Sequence, residues 1–256
     1  MDEMEVDYSL QNGKMNEHQV NLVRSYYNNW EFHDSIQLKF RYIKVFGLNL
    51  RDNQAQWVIL QRKTNKRRIY NHTLAENIQS LIDCQFIPYR IFQSVAEWLS
   101  PIEIEKKQPH YMLKTGIIVL ENDDTFVKSV QTAIQVCEDW DQGYRLIYSG
   151  NKSVHVWLSI DENEYLTGKS NREIWGRGQR EKIDKQIRKT VHQNIQARVD
   201  NEIDHRSAVD TRRVVPIVGS LNAFTGRIVS ELFVENLIKA DLTTLQNTYQ
   251  LEDWHN

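Results

Sequence analysis

The stretch GIIVLENDD, residues 116–124, joins an apolar run to a group of acidic residues. Its first five residues form a continuous apolar run, which is typical of a strand buried on both faces. Side chains two apart in a strand point to the same side, so Glu121 and Asp123 share a face. Two carboxylates on one face repel each other unless a divalent cation lies between them, and hard oxygen ligands suit Mg²⁺ or Mn²⁺. The same residues are also typical of a polar turn that caps the next helix.

A second polar cluster lies in YSGNKSVH, residues 148–155, between two segments that alternate apolar and polar residues and therefore predict strands. Gly150 permits a tight bend. Ser149, Lys152 and His155 then bring a hydroxyl, an ammonium and an imidazole from one loop. Because backbone amides in such a turn can cradle an anion, the loop suits a triphosphate. A solvated hairpin turn has the same composition.

The remaining segments mix helical and strand periodicities without strict alternation, which predicts the α+β class. We expect helices over residues 16–30, 73–81, 126–140, 179–201, 233–238 and 242–249. We expect strands over residues 40–48, 57–60, 89–94, 116–120, 144–148, 154–160 and 214–218.

Composition sets the outer limits on function. The chain has 256 residues with a net charge of −2, which excludes a polybasic, histone-like protein but leaves room for a basic groove that binds nucleic acid. The acidic N-terminus is not a signal peptide, and no apolar stretch is long enough to span a bilayer. Cys84 and Cys137 are the only cysteines. They provide no structural zinc site and indicate a reducing compartment, so we expect a cytoplasmic protein without zinc or membrane contact.

Three segments together resemble the archaeo-eukaryotic primase superfamily, most closely the small catalytic subunit of DNA primase. That family's first motif is an apolar strand ending in Asp-x-Asp, here VLEND at residues 119–123. Its second is Ser-Gly-x-x-Gly-x-His, here SGNKSVH at 149–155. Its third runs from an aspartate through an arginine-containing strand into a Ser-Leu-His…Thr-Gly stretch, here from Asp204 to Gly226. The resemblance covers most of residues 20–230.

The resemblance implies a primase-type catalytic core. Residues 1–15 would be a flexible N-terminus, and residues 16–256 a single primase-like domain. Within it we expect an N-terminal α/β unit over about 16–110, an RRM-like sheet unit over about 111–230, and C-terminal helices over about 231–256. The active site would lie in the cleft between the first two units.

The resemblance also implies template-directed nucleotidyl transfer from nucleoside triphosphates by a two-metal mechanism, in DNA replication or repair. The catalytic, metal-binding residues would be Glu121, Asp123 and Asp204, holding Mg²⁺ or Mn²⁺. The residues expected to bind the nucleotide are Ser149, Lys152, His155, Arg213 and Asn222. The partners would be a single-stranded DNA template, nucleoside triphosphates, and a helicase or a second primase or replication subunit.

Several positions depart from the family pattern. Glu121 replaces an aspartate, and basic, glycine or histidine positions of the family are occupied by Asn151, Ser153, Pro216, Asn222 and Phe224. Three retained carboxylates favour an active enzyme. The altered contacts favour a catalytically weakened or inactive primase-fold subunit that binds single-stranded DNA and supports a replication partner. An end-joining polymerase domain would use the same chemistry.

Template binding requires positive charge outside this site. The densest basic run consists of Arg62, Lys63, Lys66, Arg67 and Arg68. A second basic stretch consists of Arg172, Arg177, Arg180, Lys182 and Lys185. Either run is also typical of a solvated surface segment.

Overall fold

The structure, a computed structural model, describes residues 15–31, 41–60, 63–64, 67–68, 74–98, 112–176, 178–239 and 242–255. Its helices are α1 (Glu17–Asn28), α2 (Leu74–Asp83), α3 (Phe126–Asp139), α4 (Asn163–Leu166), α5 (Asn171–Trp175), α6 (Gln179–Gln196), α7 (His205–Val209), α8 (Val234–Lys239) and α9 (Leu242–Thr248). Its strands are β1 (Ile43–Asn49), β2 (Gln54–Ile59), β3 (Lys63–Thr64), β4 (Arg67–Arg68), β5 (Phe86–Ser94), β6 (Glu97–Trp98), β7 (Met112–Lys114), β8 (Ile117–Leu120), β9 (Tyr144–Tyr148), β10 (Val154–Ser159), β11 (Val214–Pro216), β12 (Leu221–Asn222), β13 (Arg227–Ile228) and β14 (Ser230–Leu232). The α+β class predicted from the sequence is confirmed.

The first sheet is antiparallel, with the strand order β11-β5-β1-β2. Helices α1 and α2 pack on it, and the core between them includes Val23, Val45, Ile78 and Ile91. Helix α1 starts at an Asn16 cap whose side chain accepts a hydrogen bond from the backbone of the third helical residue. That capping box satisfies N–H groups at the helix start that have no partner inside the helix.

The second sheet is also antiparallel, with the order β14-β9-β10-β8. Ile118 lies on the face that packs in one apolar cluster with α3 and α6. Val119 lies on the other face, in a cluster with Trp157 and with Val215 of β11. Because β11 belongs to the first sheet, this second face is where the two sheets meet. Glu121 follows Val119 by two residues and therefore continues that face.

Long, strongly periodic elements agree with the sequence-based expectations to within a few residues. Helix α6 is the main exception, because it ends at Gln196 and not near residue 201. The Gln196 side chain donates to Asn201 O at 3.0 Å and accepts from Ile203 N at 2.7 Å, so it closes a turn in place of another helical turn. In the first basic run, Lys63, Arg67 and Arg68 lie in the β3–β4 pair.

Arg62, Lys66 and Arg177 lie outside the described residues, as do residues 1–14 of the expected flexible N-terminus and residue 73, the expected start of α2. In the described part of the chain, no helix combines the length and apolar character needed to cross a membrane.

Candidate active site

Two distant chain segments bring three carboxylates together. Glu121 directly follows β8, whereas Asp204 directly precedes α7 and caps it by accepting from Arg206 N and Ser207 N. The two segments are joined by a backbone hydrogen bond from Asp204 N to Glu121 O at 2.9 Å. Ligand oxygens of Glu121, Asp123 and Asp204 all lie within 4.8 Å of one another.

Asn122 adds a second link between the same segments. Its side-chain amide donates to Glu202 O at 2.7 Å, and its side-chain oxygen accepts from Asp124 N at 3.0 Å. Asn122 therefore fastens the turn after β8 to the segment that leads into Asp204.

Glu121 is only 3% exposed and is surrounded by donors. It accepts from His155 Nε2 at 2.6 Å, from Ser207 Oγ at 2.6 Å and from the Arg213 guanidinium. Burial by itself raises the pKa of this carboxyl. The charge and hydrogen bond of His155, the charge of Arg213 and the Ser207 hydroxyl outweigh burial, so the pKa of Glu121 lies well below its ordinary value.

Asp123 and Asp204 are more open. Asp123 is exposed and Asp204 half-buried. Partial desolvation and the negative charge of Glu121 raise the pKa of Asp123. Ser207 Oγ also donates to Asp204, so one hydroxyl bridges two of the carboxylates. Three close hard-oxygen donors, one of them open to solvent and destabilised by its neighbours' charge, fit a divalent cation such as Mg²⁺ or Mn²⁺.

The loop at residues 149–153 is connected to this carboxylate group by a chain of hydrogen bonds. Ser149 N donates to Ser153 O at 3.0 Å and closes the loop. Ser149 Oγ and Ser153 Oγ are 3.0 Å apart, and Ser153 Oγ lies 3.0 Å from His155 Nε2. His155 in turn contacts Glu121. The loop that the sequence associates with phosphate binding and the acidic group thus form one continuous site.

Two residues hold the tip of this loop. Asn222 Nδ2 donates to Gly150 O at 3.2 Å, and Thr225 Oγ1 donates to the same oxygen. Gly150 has φ +75, and a Cβ there would lie 3.0 Å from the Asn222 side chain and 3.1 Å from Arg227 O. The position therefore requires glycine. The structure places Asn222 as a support of the loop, and its expected contact with nucleotide stays a prediction.

Two cationic side chains belong to the segments that form the site. Arg213 contacts Glu121 and is 4.0 Å from Asp204 Oδ2. Lys152 is exposed at the loop tip, and within the described part of the chain its side chain has no hydrogen bond or ion pair. It is therefore available to an anionic ligand.

Sequence reasoning assigned no role to Ser153 or Ser207, which hydrogen-bond within the site, or to Arg90, whose pKa is influenced by the charge of Glu121. Arg90 is a half-buried residue of β5 whose guanidinium lies 4.9 Å from the centre of the Phe92 ring. Burial lowers the pKa of Arg90 to about 10, and the charge of Glu121 opposes that shift. Its signal was a lone arginine inside the apolar strand IPYRIFQS. The signal for Ser207 was its position three residues after the capping Asp204, which places it in the first turn of the helix.

No family model matches the chain, and no curated protein sequence matches it. Among solved structures, the chain is similar to the polymerase domain of Mycobacterium tuberculosis Ligase D in complex with DNA. The TM-score is 0.52 at 10% sequence identity, over 91% of this chain and 90% of that one. The two proteins share a fold across nearly their whole length.

Proposed function

We propose that this protein is a nucleotidyltransferase of the primase-polymerase type, which adds nucleotides from nucleoside triphosphates to a DNA-templated strand. The observation that carries the proposal is the convergence of Glu121, Asp123 and Asp204 beside the loop at residues 149–153. An acidic metal site next to an anion-suited loop is what phosphoryl transfer requires, since charge must be balanced on both sides of the reacting phosphate.

Each side chain has a definable task in this proposal. Glu121, Asp123 and Asp204 would hold Mg²⁺ or Mn²⁺, which when bound supplies Lewis-acid activation of the attacking hydroxyl and charge balance for the leaving pyrophosphate. Lys152 and Arg90 would neutralise the triphosphate. Among the described residues neither side chain forms an ion pair with a carboxylate, so their charge is left for the ligand.

Ser207 and the Asp204 backbone N–H have a positioning task. The Ser207 hydroxyl donates to the Glu121 and Asp204 carboxylates, and the Asp204 N–H donates to Glu121 O. They thereby fix the carboxylates before ligand arrives, which reduces the reorganisation needed during reaction.

The fold likeness supports the finer parts of the proposal. The neighbour is a polymerase domain in complex with DNA. By analogy, we assign the second sheet with α3 and α6 to an RRM-like unit, the first sheet with α1 and α2 to the N-terminal unit, and the active site to the cleft between them. The boundaries near residues 110 and 230 belong to this proposal, with one structural qualification: β11, at Val214–Pro216, pairs with the first sheet. A single-stranded DNA template, a helicase or a second replication subunit would be the partners.

A second candidate is a catalytically weakened or inactive primase-fold subunit. The observation that favours it is that His155 and Arg213, both expected to contact nucleotide, instead contact Glu121. With its charge already balanced, Glu121 would bind a cation less strongly than a free carboxylate. An end-joining polymerase is a variant of the first proposal, since it would use the same chemistry.

Primer extension separates the two candidates. We expect nucleotide addition to a primed template that depends on Mg²⁺ or Mn²⁺ and falls about a thousandfold or more in Asp204→Asn, because ligand loss removes several kcal/mol of charge stabilisation. Asp200→Asn, at an exposed aspartate that contacts Gln135, is the matched control and should retain activity. Absence of incorporation by the unmodified protein at every nucleotide concentration, with either metal, favours the non-catalytic subunit.

A further inference from the structure

One face of α6 carries three lysines, Lys182, Lys185 and Lys189, all exposed. Residues three and four apart in a helix are surface neighbours, so these side chains form one stripe, here called the basic ridge. The opposite side of the helix is buried and contains Ile187 and Arg188. Arg180, part of the basic stretch recognised in the sequence, is also buried and bonds to Glu162, so it does not contribute to the ridge.

Nothing in the part of the chain that the structure describes neutralises the ridge. Within the described residues, the side chains of its three lysines form no hydrogen bond or ion pair. The two acids of the same helix are engaged elsewhere. Glu181 accepts from Arg212 Nε at 3.0 Å, and Asp184 is buried with Arg188 at 2.7 Å. Like charges four apart destabilise a helix, so an anionic partner would relieve repulsion along the ridge.

The helix that carries the ridge lies alongside the acidic site. At its N-terminal end, Glu181 contacts Arg212, the residue before Arg213. At its C-terminal end, His192 Nε2 donates to Ile203 O at 3.2 Å, the residue before Asp204. Both anchors are therefore one residue from a member of the candidate active site.

We propose that the basic ridge binds the phosphate backbone of the single-stranded DNA template, an inference that rests on the proposed function. Lys182 and Lys189 are seven residues apart, which spans about 10 Å of helix. The three ammonium groups are spread over that length, so each can meet a different phosphate of the strand.

Trp175 makes a single strand the better partner than a duplex. It is 50% exposed, and it ends α5, the short helix that packs on α6 just before the ridge begins. An exposed indole can stack on a base only where that base is unpaired, and such stacking is a common device of single-strand binding.

The test is equilibrium binding of a fluorescent single-stranded oligonucleotide between 50 and 200 mM KCl, without nucleotide or divalent cation. Log affinity falls with log salt. In the triple variant Lys182→Ala/Lys185→Ala/Lys189→Ala the slope of this fall should be shallower by about 2, since each lost phosphate contact on a single strand removes about 0.7. The ratio of the affinity of the unmodified protein to that of the triple variant should therefore fall about twentyfold between 50 and 200 mM KCl. The matched control Lys182→Arg/Lys185→Arg/Lys189→Arg keeps the three charges and should retain the slope of the unmodified protein.

Trp175→Ala provides an independent arm and should weaken binding of the single strand about tenfold, with little effect on a blunt duplex. If the folded triple Lys→Ala variant keeps the salt slope of the unmodified protein, the proposal that the ridge binds DNA is wrong. The proposal is also wrong if the unmodified protein binds the duplex as tightly as the single strand. Because no metal or nucleotide is present, a protein that binds DNA through the ridge but adds no nucleotide contradicts only the enzymatic proposal. If the unmodified protein adds nucleotides and the triple Lys→Ala variant has the same salt slope as the unmodified protein, only the ridge proposal is contradicted.

Discussion

At the scale of single residues, Glu121 determines the electrostatics of the site. It is nearly fully buried and retains its charge because His155, Ser207 and Arg213 all contact it. A buried carboxylate without such partners would take up a proton. The glutamate side chain reaches donors from three different segments, which explains how a charged residue is accommodated at this buried position.

Glu121 should make the stability of the metal-free protein depend on pH. Its folded-state pKa is lowered, so its contribution is fully present above the unfolded value of about 4.3 and is lost as pH falls below that value. We expect Glu121→Gln to unfold at lower temperature than the unmodified protein at pH 7. The difference should narrow progressively below about pH 4. Thermal unfolding in chelator across this range checks the prediction, and a pH-independent difference would contradict it.

At the scale of elements, α6 supports the strand that leads to Glu121. Arg188 donates to Thr115 O at 2.6 Å and to Ile117 O at 2.9 Å, and it pairs with Asp184. β8 lies at the edge of its sheet. Thr115 precedes this edge strand, and Ile117 is its first residue. The guanidinium satisfies buried backbone acceptors that would otherwise lose a hydrogen bond.

Arg188→Met should therefore destabilise the protein by about 3–5 kcal/mol, because it leaves Asp184 buried without its cation. The double variant Arg188→Met/Asp184→Leu should recover part of that loss, since it removes the uncompensated charge. Gln193→Met, at an exposed position of the same helix, should change the free energy of unfolding by less than about 0.5 kcal/mol. Denaturant titration measures all three, and a single variant as stable as the control would refute the supporting role.

Sequence periodicity predicted the elements that carry the site but not how they join. The strand before Glu121, the loop around Gly150 and the long helix before Asp204 all follow from runs of five or more patterned residues. The roles of Ser207, Ser153 and Arg90 did not follow, because all three depend on Glu121, which is distant in sequence. Ser207 contacts it directly, Ser153 reaches it through His155, and Arg90 is influenced by its charge. Two-residue strands such as β12 and β13 are too short to show a period.

At the scale of the whole molecule, the two sheets are connected by β11. This strand follows Asp204 and Arg213 in sequence, pairs with β5 of the first sheet, and contributes Val215 to the apolar cluster beneath the second sheet. The segment that supplies the third carboxylate therefore also joins the two halves. The site is assembled only when the whole chain has folded, which is why its residues are scattered from position 90 to position 225.

The most direct test of the central claim is a crystal structure with Mn²⁺ and a non-hydrolysable nucleoside triphosphate, with the metal located by its anomalous scattering. The account predicts Mn²⁺ bound by carboxylate oxygens of Glu121, Asp123 and Asp204, with the triphosphate against Lys152. It also predicts that Asp204→Asn loses the metal signal. Mn²⁺ bound elsewhere, or a Glu121 that keeps Arg213 and excludes metal at millimolar concentration, would contradict the account.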